Sequence, residues 1–381
     1  MREVRLADGH DAWLVLGHDE ARAALKDPRL SKDMLKALEG DPDVVSGGLP
    51  GPAFSRHMLN VDPPDHTRLR RQVARAFMPS RVAQLEPAIT EIAGNLLDVL
   101  ASEDPATPVD LVSDYARPMP FHVIGEVLGI PPSDWASLDA MFQALLRPYE
   151  GEPPAEMVTA ADAIVSYLTE LVEAKSQQPA DDLVSILVAA CDGEDRLTTQ
   201  EVLSSLFQLI VAGHDTTTSL VGNSVVALLD HPRQMAALVA EPSLLPGAVE
   251  ELLRYTAAVP HATFRMATEP VELGGAVIPK GKQVLVCLAG ANRDPGHWAA
   301  ANKLDIVRES MPHLAFGHGP HFCLGAPLAR LEARVALSGL LGRFPRLVLA
   351  TERECLSWGH GDGLVLRGLD SLPVLLNPKP C

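Results

Sequence analysis

One long apolar segment, from Thr198 to Asp230, constrains the fold of this chain more than any other feature. It opens with Thr198-Thr199-Gln200-Glu201, the pattern of a capping box, in which the threonine and glutamate side chains each accept the other's backbone N–H. His231-Pro232 ends it, because proline disfavours helical backbone at the preceding residue. A helix of this length spans about 50 Å at 1.5 Å per residue. We therefore expect one helix to run buried through the middle of the molecule.

The rest of the sequence is mainly helical in pattern, with a few strand-like segments. Apolar residues recur at three- and four-residue spacing through much of the first half, which favours helices. Short runs rich in β-branched residues predict strands near both ends. The predicted helices are 18–25, 85–100, 115–128, 134–146 and 154–175, and the predicted strands are 11–16, 271–277, 283–287 and 364–376. The expected fold class is mostly α with a minor β component.

The centre of the long helix, Ala212 to Thr218, consists of residues that weaken helices. Gly213 costs about 1 kcal/mol relative to alanine, and the three consecutive threonines that end the segment are poor helix formers. Threonine hydroxyls also bond the carbonyl one turn back and bend a helix. One interpretation is a close crossing with another helix. The other is a local opening that serves a function, with Asp215 as its acid. Both stay open from these residues alone.

A second unusual segment, Phe316 to Gly325, places Cys323 on a glycine-rich loop before a predicted helix over 326–344. A helix N-terminus carries about half an elementary positive charge, which stabilises a thiolate. Such a thiolate can bind a soft metal or haem iron. Two other interpretations are a small buried apolar cysteine and a zinc site shared with His313, His318 and His321. Zinc is disfavoured because no second paired-ligand motif occurs in the sequence.

Composition narrows the class of protein. The chain has 381 residues, 47% of them hydrophobic, and no linker or low-complexity tract, so we expect one domain over residues 1–381. A formal net charge of −17 disfavours a nucleic-acid partner. Five widely spread cysteines disfavour a disulfide framework. Because neither a signal-peptide core nor a run of about 18 apolar residues occurs, we expect a cytoplasmic protein with no membrane span.

The segment after Pro63-Pro64 is a basic helix with two faces. His66 and Arg70 are four residues apart and share one face, where they could bind an anionic group. Three arginines form a second stripe, which could attract an acidic protein. These are Arg68, Arg71 and Arg75. The alternative is a basic amphipathic helix without a specific ligand.

The string Phe-x-x-Gly-x-His-x-Cys-x-Gly over 316–325 resembles the haem-binding loop of the cytochrome P450 family. Further motifs of that family follow its order along nearly the whole chain. The resemblance implies a single-domain P450 fold with haem b between the long central helix and the helix after Cys323. Cys323 would be the iron ligand, and the other cofactor-binding residues would be His66, Arg70, Ala212, Arg265, Phe316, His321 and Gly325.

The resemblance also implies a reaction. Asp215 and Thr216 match the family's acid–alcohol pair, which delivers protons to oxygen. The expected activity is insertion of one atom of O₂ into a hydrophobic substrate, such as a polyketide, macrolide or steroid-like compound. Electrons would come from a ferredoxin and an NAD(P)H-dependent reductase, because no Gly-x-Gly-x-x-Gly nucleotide motif is present. A haem-thiolate peroxygenase and a haem sensor are the alternatives.

Other matches concern the fold and the pocket. Glu251 and Arg254 match the family's structural pair, which would tie its helix to the segment 302–308. Leu304 stands where the family usually has an aromatic residue, and the expected short helix before the first strand is missing. The pocket is expected to be lined by the segments 34–58, 142–157, 212–216, 259–263 and 361–364.

Overall fold

A computed structural model describes residues 1–6, 9–34, 56–147, 149, 152–191, 197–309, 311–359 and 364–378. The α-helices are α1 His18–Lys26, α2 Asp65–Ala74, α3 Pro79–Gln84, α4 Glu86–Ser102, α5 Pro118–Leu128, α6 Trp135–Leu145, α7 Ala155–Gln177, α8 Leu183–Ala189, α9 Thr199–Leu229, α10 Pro232–Ala240, α11 Leu245–Thr256, α12 Leu288–Ala291 and α13 Ala326–Arg343. The strands are β1 Arg2–Arg5, β2 Asp11–Val15, β3 Leu30–Ser31, β4 Val109–Asp110, β5 Arg265–Ala267, β6 Val271–Leu273, β7 Ala276–Ile278, β8 Gln283–Val286, β9 Val348–Leu349, β10 Trp358–Gly359, β11 Gly368–Leu369 and β12 Pro373–Leu375. The expected class, mostly α with a minor β component, is confirmed.

The long helix α9 forms the centre of the fold, as predicted. Its capping box is present: Thr198 Oγ1 accepts from Glu201 N at 3.2 Å, and Glu201 Oε2 accepts from Thr198 N at 2.9 Å. The apolar faces of α5, α11 and α13 pack against it. Because other helices surround α9, its residues are buried along most of its length.

A five-stranded sheet forms a second region beside the helices, with its own smaller core. Its strand order is β1-β2-β8-β5-β3, and β2 and β8 are its parallel pair. The pairing of β3 with β5 brings Leu30 and Ser31 opposite Ala267 and Met266. The pairing also places Lys32, which follows β3, near Arg265, the first residue of β5, and both side chains are buried.

Some predicted elements differ from the structure. The predicted strand 271–277 is a hairpin of β6 and β7, because Gly274 and Gly275 both adopt positive φ, at 50° and 77°, and turn the chain. The predicted strand 364–376 is reduced to β11 and β12. Strand β1 was not predicted; it pairs with β2 through charged, exposed residues that carry little apolar signal.

The ion pair of Glu251 and Arg254 is a buried tie between α11 and the segment before the Cys323 loop. The Arg254 guanidinium contacts Glu251 at 2.7 and 2.8 Å and the carbonyl of Ala301 at 2.8 Å. Arg308 Nε also reaches both Glu251 oxygens at 3.1 Å. The expected tie to residues 302–308 is therefore present, with the apolar Leu304 buried beside it.

In the part of the chain that the structure describes, no helix combines the length and the apolar character that crossing a bilayer requires.

Candidate functional site

The loop 316–325 folds around the sulfur of Cys323. The Cys323 N–H donates to the carbonyl of Phe316 at 2.9 Å, which closes the loop. Gly317 and Gly319 have positive φ, 72° and 76°, and a Cβ on Gly319 would lie 3.0 Å from the carbonyl of Leu25. Glycine is needed at both places because side chains rarely adopt this backbone conformation. The loop therefore presents Cys323 at the start of α13 in a fixed position.

Two kinds of effect act on the pKa of Cys323 in opposite directions. Burial raises the pKa of the thiol, while backbone N–H donors of Gly325 and Ala326 and the charges of Arg70 and Arg330 lower it. The residue nevertheless has exposed surface. A thiolate at this position would be stabilised by its donors and would be accessible to a ligand.

The propionate-binding residues expected from the sequence lie together. The rings of His66 and His321 have centroids 4.2 Å apart. Arg70 Nη2 donates to the carbonyl of Phe322 at 2.6 Å, and Arg265 Nη1 donates to the carbonyl of Leu30 at 3.3 Å. Arg265 and Arg70 both act electrostatically on His321, and burial with these charges lowers the pKa of His321 to about 2.

The sequence analysis missed two further basic residues in this cluster, Lys32 and His57. Lys32 is 5% exposed, and its Nζ donates to Thr263 Oγ1 at 2.5 Å and to the carbonyl of Phe264 at 2.8 Å. Burial and the charge of Arg265 hold the pKa of Lys32 well below its usual value. Burial and Lys32 lower the pKa of His57 to about 4. A lysine at the opening of a predicted loop gives no signal of burial, and only the pairing of β3 with β5 reveals it.

The cluster fits a ligand with two carboxylates. Among the residues that the structure describes, Asp62 is the acid that acts on Lys32, Arg265 and His66. One carboxylate cannot balance that many buried basic groups, and buried charge without a counter-ion is costly. Within the described ranges, the buried atoms His66 Nε2 and Arg265 Nε have no hydrogen-bond partner. A dianionic group beside Cys323 would supply both the missing charge and the missing acceptors, and haem with its two propionates is such a group.

The middle of α9 is accessible, in contrast to the rest of the helix. Residues 201–210 and 217–228 are buried, whereas Ala212 is exposed and Asp215 and Thr216 are partly exposed. The local opening of the helix that the sequence suggested does not occur as a break in the backbone, because α9 is helical throughout. The Thr216 hydroxyl instead bonds the carbonyl of Ala212 at 2.7 Å, one turn back. Access comes from space beside α9, not from unwinding.

Gly213 has a packing role on another face of α9. A Cβ at this position would lie 3.4 Å from Ile124 Cδ1 on α5. The two interpretations of the weak helical segment therefore apply to different faces: one face is a close helix crossing, and another is the accessible surface at Ala212 and Thr216.

Asp215 has a histidine neighbour that the sequence analysis did not single out. Its Oδ1 lies 3.5 Å from Nδ1 of the buried His214, and His214 Nε2 lies 4.0 Å from Asp139 Oδ1 on α6. Gln143 also donates to Asp139 at 2.6 Å. Asp215 thus lies beside a buried histidine whose other ring nitrogen is near Asp139 on α6, and α9 also packs against α13, the helix after Cys323.

The expected stripe of three arginines on α2 needs correction. Arg71 and Arg75 are exposed, but Arg68 is not available for docking. Its guanidinium contacts Glu201 at 2.5 and 3.1 Å and Asp65 at 3.4 Å. Burial opposes ionisation of Glu201, yet Arg68 lowers its pKa overall. Arg68 therefore joins α2 to the capping box of α9.

Two further predictions concern the pocket segments and a zinc site. Residues 35–55, 148, 150, 151 and 361–363 of the predicted pocket segments lie outside the described residues. The zinc interpretation is not supported, because His313 bonds Glu250 at 3.2 Å and His321 faces His66. Over the described ranges, the group of His, Cys, Asp and Glu side chains close enough to share an ion is His18, Asp19 and His297, which excludes Cys323.

Comparison with known proteins decides the family. The family profile described as "Cytochrome P450" matches residues 121–366, more than half of the chain. The chain belongs to the cytochrome P450 family. Family membership implies a haem bound through a cysteine thiolate, and Cys323 is the cysteine within the matching loop.

Individual relatives cover almost the whole chain. Cytochrome P450 monooxygenase PikC of Streptomyces venezuelae is 44% identical over 97% of this chain and 86% of its own length. The 6-deoxyerythronolide B hydroxylase of Saccharopolyspora erythraea is 40% identical, over 97% and 91%. The tirandamycin C-bound structure of the P450 monooxygenase TamI superposes with a TM-score of 0.86 at 42% identity, over 98% and 92%. The protein is accordingly an oxidoreductase of the P450 monooxygenase class.

Proposed function

We propose that this P450 uses haem b to insert one oxygen atom of O₂ into a bulky hydrophobic secondary metabolite, by hydroxylation or epoxidation. The observation that carries the proposal is the placement of two features on packed helices. One is the accessible surface of α9 at Ala212–Thr216, and the other is Cys323 with its cluster of unbalanced basic groups. The first suits oxygen and substrate, and the second suits a thiolate-bound dianionic cofactor.

The residues around Cys323 would hold the cofactor. When bound, haem supplies the iron at which O₂ is activated, and a thiolate ligand favours O–O cleavage. Cys323 is the proposed ligand. The propionates would be bound through charge-assisted hydrogen bonds by His66, Arg70, Arg265 and His321, and Lys32 would add buried positive charge. These five residues form the anchoring set. These contacts would fix the orientation of the ring before substrate enters.

Thr216 is arranged to accept a hydrogen bond. Its proton is committed to the carbonyl of Ala212 at 2.7 Å, so the hydroxyl oxygen keeps lone pairs with which it can accept a hydrogen bond. It can therefore hold a proton-bearing group next to the oxygen site without itself losing a proton. Asp215, beside His214 at 3.5 Å, would pass protons toward that site. Such a relay delivers protons without admitting bulk water.

The substrate class is inferred from accessible apolar surface and from relatives. Val259, Ala262 and Thr263 are partly exposed immediately before the buried strand β5, and Ala212 is exposed on α9. Small apolar side chains leave room for a large ligand and offer few polar contacts. The names of two relatives, 6-deoxyerythronolide B hydroxylase and the tirandamycin C-bound monooxygenase, agree with a polyketide or macrolide substrate, and a steroid-like compound is the other expected class.

Electrons would be supplied by a ferredoxin with an NAD(P)H-dependent reductase. Arg71 is exposed on α2 and Arg75 is exposed just after it; from the same helix Arg70 reaches the carbonyl next to Cys323. In a chain of net charge −17, exposed arginines at this place favour an acidic partner. The proposed partner would dock on the thiolate side, close to the cofactor.

The test is turnover of the haem-loaded protein. A library of macrolides, polyketides and steroids is first screened for ligands that shift the ferric spectrum. The best ligand is then incubated with ferredoxin, reductase, NADPH and ¹⁸O₂, and separately with peroxide alone. We expect one ¹⁸O atom in the product only with the complete electron-transfer system. Product formed efficiently by peroxide alone would favour a peroxygenase, and binding without any turnover would favour a sensor.

A further inference from the structure

Arg330 occupies an unusual position on the thiolate side of the candidate site. It lies on the second turn of α13, and its guanidinium carbon sits 4.6 Å above the centre of the Phe316 ring. Phe316 is the residue whose carbonyl accepts from the Cys323 N–H at 2.9 Å. A guanidinium over an aromatic face is attracted by the ring quadrupole. Arg330 is therefore held directly against the residue that closes the Cys323 loop.

Glu250 fixes the other side of Arg330. Its carboxylate receives Arg330 Nε at 2.7 Å and Nη2 at 2.9 Å, a bidentate pair that defines the plane of the guanidinium. His313 Nδ1 accepts from the Ala315 N–H at 3.1 Å, so the ring proton lies on Nε2, which donates to Glu250 at 3.2 Å. Burial disfavours the carboxylate, but these hydrogen bonds lower the pKa of Glu250 to about 2.

The adjacent acids Glu250 and Glu251 thus have separate partners. Glu251 binds Arg254 and Arg308 and ties the fold together, whereas Glu250 binds Arg330 and His313 beside the Cys323 loop. Arg330 also acts electrostatically on Cys323, together with Arg70. A charge that is stacked, bidentately bonded and near the sulfur is fixed in place, in contrast to an ordinary surface arginine.

We propose that Arg330, held by Glu250 and stacked on Phe316, is a positioning residue that sets the reduction potential of the cofactor and keeps the Cys323 loop in its ligating shape. This inference rests on the proposed ligation of iron by Cys323. A fixed positive charge near the sulfur favours the reduced state, which carries one more electron. Glu250 has the opposite sign and opposes that effect, while it also holds Arg330 in position.

The decisive experiment measures midpoint potentials of haem-loaded, substrate-free variants. Arg330→Gln should lower the potential by an amount equal to about a three- to tenfold change in the ferric–ferrous equilibrium, where tenfold is 59 mV for one electron. Glu250→Gln should raise it. Arg334→Gln is the matched control: Arg334 lies one turn further on α13, pairs with Glu86 at 2.8 Å, and is as exposed as Arg330, at 39% against 37%. It should leave the equilibrium within about twofold.

A second readout separates charge from stacking. Arg330→Lys keeps the charge but loses the planar stack and the bidentate pair, so its potential should stay near that of the wild type. Its ferrous–CO complex should lose the red-shifted Soret band of thiolate ligation faster in mild denaturant. If Arg330→Gln fails to retain haem, Glu250→Gln and Arg330→Lys still test both halves of the proposal.

The results that would contradict the role of Arg330 differ from those that would contradict ligation by Cys323. Unmoved potentials in Arg330→Gln, shifts of the same sign in Arg330→Gln and Glu250→Gln, or equal shifts in the Arg334 control would each overturn the inference. A change confined to affinity for the electron donor would make Arg330 a docking residue instead. A wild-type protein without the red-shifted band would overturn the ligation by Cys323 itself, and this inference with it.

Discussion

The imidazole rings of His66 and His321 face each other with their centroids 4.2 Å apart and their planes tilted by 46°. One ring belongs to helix α2 and the other to the turn before Cys323, so the contact joins two distant parts of the chain. His66 Nε2 is buried and has no hydrogen-bond partner in the part of the chain that the structure describes. The contact marks where an anionic group would complete the site.

Replacing the proposed ligand is the most direct test of the site. Cys323→Ser should abolish the red-shifted Soret band of the ferrous–CO complex, because serine does not give a thiolate. Cys355→Ser is the matched control, since Cys355 is also exposed but lies in a short turn far along the chain from the loop. An unchanged band in Cys323→Ser would assign the ligand to another residue.

Thr216 can be tested against a threonine on the same helix. Thr216→Ala should lower product formed per NADPH several-fold and release peroxide, because the acceptor beside the oxygen site is lost. Thr218 makes the same kind of bond, to the carbonyl of His214 at 3.1 Å, but is buried. Thr218→Ala should leave the coupling ratio unchanged, and measured product and peroxide should separate the two variants. Equal coupling in both would remove Thr216 from the reaction.

Lys32 should influence how firmly the cofactor is held. Lys32→Met removes a buried ammonium from the anchoring set, so haem transfer to an apo-globin acceptor should become several-fold faster. Lys282→Met provides the control, because Lys282 pairs with Glu3 at the surface. A transfer rate equal to that of the wild type would limit Lys32 to holding Thr263 and Phe264.

The pair of Arg68 and Glu201 should matter for stability rather than for docking. Arg68→Met leaves the Glu201 carboxylate, 9% exposed, without its cation and should lower the free energy of unfolding by about 3 kcal/mol. Arg343→Met, which breaks an exposed pair with Asp98, should change it by less than about 1 kcal/mol. Urea unfolding of the haem-free proteins measures both. A small loss in Arg68→Met would return Arg68 to the candidate docking surface.

Stability should depend on pH through His57. Burial and Lys32 lower its pKa to about 4 in the fold, from an ordinary value of 6.5. The unfolded chain therefore binds more protons between these values, so stability is complete above pH 6.5 and falls as the pH drops toward 4, by at most about 1.4 kcal/mol per pH unit. Urea unfolding of the haem-free protein at several pH values should show this slope. His57→Asn, which can still accept from the Leu59 N–H, should have a shallower slope.

The sequence predicted the elements that local patterns define. The capping box of α9, its stop at His231-Pro232 and the helix after Cys323 all follow from residues that are neighbours in the chain. Hydrogen bonds at helix ends are local, so they can be read from a few residues. The short strands could not, because strands of two to four residues obtain their stability from partners that are distant in sequence.

What the sequence by itself determined is the family and its chemical inventory: one cysteine in a loop of fixed spacing, an acid and an alcohol in the longest helix, and basic residues in order. Tertiary structure decided which of these groups share an environment. It buried Lys32 beside Arg265, paired Arg68 with Glu201, and stacked Arg330 on Phe316. The physical reason is that burial and charge pairing depend on distance in space, and a chain pattern does not specify that distance.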